Sequence, residues 1–309
     1  MGDADGSYDF TDGVAMIGRL VDGADLCMGS RFKGGIAKGA MPWKNRYIGN
    51  PALTGVLNLF FRSGIDDAHC GLRAITKESF TACGLSATGM EFASEMVIKS
   101  SLRKLRIDEV PATLAPDLRE RAPHLRPWRD GWRHLRYLLM LSPTWVFGVP
   151  ALLSIATGSL IFAIAIAFSL QVFHGECPFG VGWWIVAGFL VTSGHFSAIM
   201  ALATHFHGVR TGFRSLRPAL RRYGRTLTLE TAIGLGVVLI LLAGASFLAE
   251  LLRWSNGHFI ALPTVLPLVL AATCGALGLQ TVLGGFLLAI IAGHEAKFVP
   301  HHGTEGLSS

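Results

Sequence analysis

Charge is scarce in this sequence. Of its 309 residues only 16% are Asp, Glu, Lys or Arg, against 51% that are hydrophobic. A soluble globular chain typically carries about 25% charged residues, so an ordinary soluble domain is excluded for the chain as a whole. The shortage is uneven. Residues 1–143 mix charge and apolarity, whereas residues 144–294 hold long stretches without a charged side chain. Cysteine is sparse too. Cys27, Cys70, Cys83, Cys177 and Cys274 form no C-x-x-C pair, which argues against a zinc site and reads as scattered, buried, reduced thiols. The soluble part contains no internal repeat. The opening residues carry no apolar leader, so no cleavable signal is expected.

What is present is arginine beside apolar runs. The net charge is +6, and its placement fits an anionic membrane surface better than nucleic acid, which is not expected as a partner. A spanning helix needs about 20 predominantly apolar residues. Four stretches qualify: Thr144 to Phe173, Val181 to Ala203, Thr231 to Ala249 and Leu266 to Ala292. The link between the second and third spans holds Arg210, Arg214, Arg217, Arg221, Arg222 and Arg225 with no acid. The segment before the first span holds Arg119, Arg121, Arg126, Arg129, Arg133 and Arg136, while the two other links are poor in positive charge. The positive-inside rule therefore puts both termini, the soluble domain and the middle link in the cytoplasm.

Arg126 to Leu141 places Trp128, Trp132, Leu135 and Leu139 at helical spacing among arginines. An amphipathic helix at the headgroup level is expected. Inside the membrane half, His195, His205 and His207 are expected at span ends, meeting the interface. Gly234, Gly236, Gly244 and Gly284-Gly285 are expected at close helix contacts. Pro263 and Pro267 bracket the start of the last span.

The soluble half opens on Asp3-Ala4-Asp5. Two carboxylates one residue apart hold a hard divalent cation together with diphosphate oxygens, although the bare pattern also occurs in solvated turns. A turn, Asp22-Gly23-Ala24-Asp25, precedes a short strand, Leu26-Cys27-Met28, which leads into Gly29-Ser30-Arg31-Phe32. Lys44-Asn45-Arg46 precedes a helix-like stretch, Tyr47 to Phe61. Ile65 to Arg73 forms a polar hinge before another short apolar run, and Glu91 and Glu95 share one helix face.

The order of these motifs resembles the family 2 glycosyltransferases of GT-A fold, above all the dolichyl- or polyprenyl-phosphate hexose synthases with trailing membrane helices. The likeness rests on D-A-D at 3–5, S-Y-D-F at 7–10, G-S-R-F at 29–32 and N-R-Y-I-G-N-P at 45–51. It continues through D-A-H-C-G-L-R at 67–73, G-M-E-F-A-S-E-M at 89–96 and P-H-L-R-P-W-R-D-G-W-R-H-L-R at 123–136. It implies an α/β, Rossmann-like partial GT-A domain over 1–118, an amphipathic juxtamembrane segment over 119–143, an all-α four-helix transmembrane domain over 144–294, and a tail over 295–309.

The resemblance implies an inverting transfer of a hexose from a GDP- or UDP-sugar to a polyprenyl phosphate at the cytoplasmic membrane face. Asp3 and Asp5 match residues that bind Mg²⁺ or Mn²⁺ and the donor diphosphate. Ser30, Arg31 and Arg46 match the acceptor-phosphate site, a role that suits the forked donors of arginine. Asp67 matches an acidic position beside the reacting sugar, and Arg73, Glu91 and Glu95 stand as supporting residues. A homo-oligomer is compatible with the family. Members carry βαβ units before the D-x-D that hold the nucleoside. This sequence opens on the motif itself, so nucleotide binding is expected to be poor. A truncated, non-catalytic membrane subunit that binds lipid phosphate or a partner protein is the alternative expectation. Processive polysaccharide synthases carry a Q-x-x-R-W signature, which this sequence lacks. An ion-coupled transporter is disfavoured because no Asp, Glu, Lys or Arg lies deep in a span.

Overall fold

The computed structural model describes residues 1–298 except 4, 88–90, 119–126, 213, 215, 217, 225, 261 and 263. Of the positions singled out above, Ala4, Gly89, Met90, Arg119, Arg121, Arg126, Arg217, Arg225, Pro263 and the side chain of Trp128 lie outside that description, as does the tail from residue 299. The chain divides into two units, Met1–Ser142 with Phe213–Ser215, and Pro143–Gly212 with Leu216–Ser309.

The first unit is built on a small mixed sheet. Its central strand β1, Leu26–Ser30, is buried at all five positions, as a short apolar run covered on both faces must be. It pairs antiparallel with β2, Arg73–Ile75, and parallel with β3, Ile107–Pro111. Among the described residues the sheet is accompanied by the α-helices α1 Gly13–Val21, α2 Arg31–Gly34, α3 Asn50–Phe61, α4 Lys77–Cys83, α5 Glu91–Leu102 and α6 Pro127–Met140. The period-2 alternation of β1 sorts its side chains. Leu26 and Met28 pack with Leu57, Met96, Ile98 and Leu138 on one face. Cys27 packs with Tyr8, Met16, Cys70 and Leu72 on the other.

The opening residue is tied to the sheet. The Arg73 N–H donates to the Met1 carbonyl at 3.0 Å, and the Met1 amine donates to the Arg73 carbonyl at 2.8 Å. This reciprocal exchange is the bonded pair of an antiparallel ladder. Helix α6 buries His134 and Leu138 in the unit's core, and leaves Arg129, Trp132, Arg133, Arg136 and Met140 exposed. Leu135 and Leu139 are half-buried. The sequence pattern put Trp132, Leu135 and Leu139 on the apolar face. The core takes the adjacent stripe, where His134 Nδ1 lies 3.1 Å from Ser94 Oγ, and Trp132 remains exposed.

The second unit holds four helices long and apolar enough to cross a membrane. The first span, Thr144–Ser169, joins a wide π-type turn to α7, Val149–Ser169. The others are α8 Val181–Arg210, α10 Leu229–Asn256 and α11 Leu266–Ile291, with a short α9, Pro218–Arg222, between the second and third. Helices α8 and α10 extend beyond the apolar stretches read from sequence. Thr228 explains one boundary: it caps α10 in a reciprocal exchange with Thr231, satisfying backbone donors the helix start leaves open.

Helix α8 packs on both α7 and α11, and α11 packs on α10. Small residues set these contacts. A Cβ on Gly236 would come within 2.7 Å of the Gly278 carbonyl, and one on Gly278 within 2.7 Å of the Gly236 carbonyl. Gly284 lies against Ile199 and Gly285 against Ala232, while Gly234 and Gly244 have open space around them. His195 is not at a span end. It lies midway along α8, its Nδ1 3.1 Å from Gln280 Oε1 and its Nε2 3.3 Å from Thr281 Oγ1. A polar side chain at that depth is costly in hydrocarbon unless it finds partners, and both ring nitrogens have one on α11.

Candidate active site

The polar centre of the first unit forms where β1 leaves the sheet. Ser30 ends the strand and Arg31 begins α2. The Arg31 Nε donates to Asp67 Oδ2 at 2.7 Å, a terminal nitrogen donates to Oδ1 at 2.7 Å, and the main-chain N–H donates to Oδ2 at 3.1 Å. This is the two-pronged geometry that makes Arg–carboxylate pairs strong. Asp67 is 0% exposed and Arg31 8%. Burial opposes the charge on Arg31, but its hydrogen bonds and charge pairing with Asp67 outweigh burial and raise its pKa. The sequence reading gave these residues to different partners. The structure joins them to each other.

Asp66, next in line, is exposed and pairs with Lys33 at 2.7 Å. Glu109 on β3 accounts for the difference. Its Oε1 accepts the main-chain N–H of Asp66 at 2.8 Å and of Asp67 at 3.1 Å, and its Oε2 accepts from Lys33 at 2.9 Å. The loop is thereby held with Asp67 inward and Asp66 outward.

Further polar groups surround the pair. The Gly71 N–H donates to the Tyr8 hydroxyl at 2.9 Å, and burial raises the Tyr8 pKa. Burial, with the Asp67 charge adding, pushes the Cys70 thiol up to about 11. The His69 ring meets His134 edge-on, centroids 5.1 Å apart. Burial, then His134 and Arg31, pushes His69 down to about 3. The buried Nε2 of His69 and Oγ of Ser30 have no hydrogen-bond partner among the described residues.

Of the opening acids, Asp3 lies beside this cluster. Asp5 Oδ1 accepts from the Ser7 N–H at 3.0 Å and the Ser7 hydroxyl at 2.5 Å. Asp3 lies against Gly71. Arg73, 4% exposed, donates to the Ala93 carbonyl at 2.9 Å and to the Cys70 carbonyl. Burial lowers its pKa, against the opposing charges of Cys70, Asp3, Tyr8 and Asp67. Arg73 thus has both Asp3 and Asp67 as charged neighbours, while Arg31 is paired with Asp67.

Three sequence candidates lie elsewhere. Arg46 is half-buried in a π-type turn, Asn45–Gly49, its guanidinium 5.5 Å from the Tyr47 ring centroid. Among the described residues no hydrogen bond or ion pair joins it to Arg31 or Asp67. Glu91 pairs with Arg133 at 2.9 Å. Glu95 is buried, bound by Lys99 at 2.8 Å and by the N–H groups of Ser86 and Ala87. Burial works against its charge, but these donors outweigh it and lower its pKa. A cleft of about 290 Å³ beside Glu91, Arg133 and Tyr137 is not lined by Asp3, Arg31 or Asp67. Among the described residues no three His, Cys, Asp or Glu side chains group into a metal cage.

The sequence reading missed the parts played by Tyr8, Gly71, Glu109 and His134. Tyr8 and Gly71 stand inside two of the quoted motifs, which was signal enough to mark them. Nothing in I-D-E-V marks Glu109 as the anchor of a loop some forty residues earlier in the chain.

An α/β unit with a buried ionic centre, joined in one chain to four spanning helices, defines a membrane protein with a polar working domain. Residues 202–292 match the glycosyltransferase family 2 C-terminal transmembrane region. The chain is 35% identical over 296 residues to the low-salt glycan biosynthesis hexosyltransferase Agl6 of Haloferax volcanii, covering 93% of this chain and 68% of that protein. It is 31% identical over 160 residues to the glycosyltransferase AglJ of the same organism, covering 50% of this chain and 52% of that protein. The chain belongs to the family 2 glycosyltransferases that carry C-terminal membrane helices, and its chemistry is glycosyl transfer.

Proposed function

We propose that this chain transfers a hexose from a nucleotide diphosphate sugar, GDP- or UDP-linked, to a polyprenyl phosphate at the cytoplasmic face of the membrane. The observation that carries the reading is a run of neighbours: Asp3 lies against Gly71, whose N–H donates to the Tyr8 hydroxyl, and Tyr8 feels the charge of Arg31, which is paired with Asp67. The hexosyltransferase name of the first relative supports the sugar class. The arginines of the α8–α10 link support the cytoplasmic side by the positive-inside rule.

The donor set of Asp3 and Asp5 fits Mg²⁺ or Mn²⁺. Two carboxylates without a full protein cage match a cation that takes its other ligands from substrate phosphates and water. Such an ion, when bound, neutralises charge on the leaving diphosphate. The acceptor is a phosphate monoester with a second pKa near 6, so it is ionised at cytoplasmic pH and needs no strong base. Arg31 orients this anion. Asp67 acts through Arg31: with two of the guanidinium's nitrogens occupied, the remaining terminal nitrogen is fixed in direction. An acceptor oxygen bonds to the anomeric carbon as the bond to the diphosphate breaks, and the diphosphate leaves with the electron pair. One such displacement inverts the sugar carbon.

The test is transfer of labelled hexose into solvent-extractable lipid by membranes that contain the chain. Asp5→Asn is expected to lower transfer by about a hundredfold or more, of the order seen when a charge-stabilising group is removed. Transfer at the unaltered rate in Asp5→Asn membranes removes the metal role. Membranes that make no lipid-linked sugar favour the non-catalytic subunit.

A further inference from the structure

We propose that Gly71 and Tyr8 are positioning residues that seat the Asp3 carboxylate. The inference rests on the reading of Asp3 as a metal and diphosphate ligand. Gly71 has no positive φ, so its backbone conformation does not call for glycine. Space does. A Cβ on Gly71 would lie 2.2 Å from Asp3 Oδ2, 2.8 Å from Asp3 Cγ and 2.9 Å from Tyr8 Cε2. The carboxylate therefore rests on a bare Cα, a place that any larger residue would occupy.

The neighbours fix that Cα. The Gly71 N–H donates to the Tyr8 hydroxyl at 2.9 Å, and Tyr8 is 7% exposed, packed with Cys70 and Leu72. Two residues on, Arg73 exchanges both main-chain hydrogen bonds with Met1 and anchors its guanidinium on the Cys70 and Ala93 carbonyls. The opening segment and the loop carrying Gly71 are thus laid side by side at the sheet edge. Asp3 itself is exposed and accepts no hydrogen bond from a described residue, with Arg73 as a charged neighbour. Its oxygens remain available to a ligand while its position is set from below.

Gly71→Ala separates this role from a merely structural one. The atoms met first belong to the end of a flexible, exposed side chain, and the buried Tyr8 ring comes next at 2.9 Å, so the added methyl displaces Asp3 and presses on Tyr8. The readout is Mn²⁺ binding by electron paramagnetic resonance, on the detergent-solubilised full chain with GDP or UDP present, alongside the thermal midpoint. Gly71→Ala is expected to weaken Mn²⁺ binding about tenfold or more, as supporting residues of metal ligands do, with a midpoint lowered by its contact with Tyr8 but a cooperative transition retained. Combined with Asp3→Asn it is expected to add little, since both act on one carboxylate. Should Gly71→Ala not fold, Tyr8→Phe removes only the hydroxyl and is expected to weaken binding in the same direction. Losses that add fully, or Mn²⁺ binding at parental strength in Gly71→Ala and Tyr8→Phe, overturn the inference while Asp3→Asn still shows the metal site. Absence of Mn²⁺ binding in the parent, or full binding in Asp3→Asn, overturns the metal reading and the inference with it.

Discussion

At the residue scale, the Arg31–Asp67 pair dominates. Removing one member of a buried ion pair leaves the other charge uncompensated, at a cost of about 3–5 kcal/mol, whereas replacing both by apolar residues is often neutral. Asp67→Ala is therefore expected to lower the stability of the first unit far more than Arg31→Met with Asp67→Leu. Chemical denaturation of the three proteins in detergent checks the order. His69 makes a second expectation. Its pKa falls from the ordinary 6.5 to about 3 in the folded chain. Between these values the unfolded chain takes up a proton that the folded chain refuses, so stability drops as pH falls from about 6.5 to about 3 and the contribution is flat below that. His69→Leu is expected to shrink the stability difference between pH 7 and pH 4 by on the order of a few kcal/mol. An unchanged difference contradicts the burial argument. Asp67 was nominated from sequence by its motif, whereas His69 stood in the same motif without a role. Their states could not be read there, because burial comes from elements as distant in sequence as α6.

At the element scale, the membrane helices meet through paired glycines. Gly236 and Gly278 face each other's carbonyls across α10 and α11, the close approach that small residues permit. Gly278→Leu is expected to force these helices apart and lower the thermal midpoint in detergent. Gly244→Leu, at a glycine with open space around it, is expected to leave the midpoint near the parent's. Equal effects at the two sites contradict the packing scheme. His195 plays the complementary part between α8 and α11, where its two nitrogens meet Gln280 and Thr281. The sequence marked Gly236 and Gly244, because small residues in an apolar run are visible, but Gly278 was not among the glycines singled out. It could not tell Gly236 from Gly244, since which face turns inward is set by the neighbouring helix. The same limit applies to α6, where periodicity found the helix and an apolar face but could not show that the neighbouring stripe, His134 and Leu138, is the one turned inward.

At the scale of the whole molecule, the division into a charge-bearing part and four spanning helices was legible because it is written in composition: a charge-poor stretch long enough for four bilayer crossings follows a mixed one, while the α/β class of the first part was implied by the family resemblance. The central strand was legible as a short apolar run, and it lies between its two partners. Strand order was not, since the parallel pairing of β1 with β3 joins residues about 80 positions apart. The same non-local closure assembles the site, which draws on the opening residues, the end of β1, the loop before β2, and β3. Motifs named the pieces; only the folded chain showed Arg31 and Asp67 bound to one another and Asp3 resting on Gly71. The central claim is that these pieces carry sugar transfer to a lipid phosphate. Its most direct measurement is hexose transfer by membranes containing the chain, with Asp5→Asn beside it. The account expects a lipid-linked product that falls by about two orders of magnitude in the variant. A product formed equally by both contradicts it.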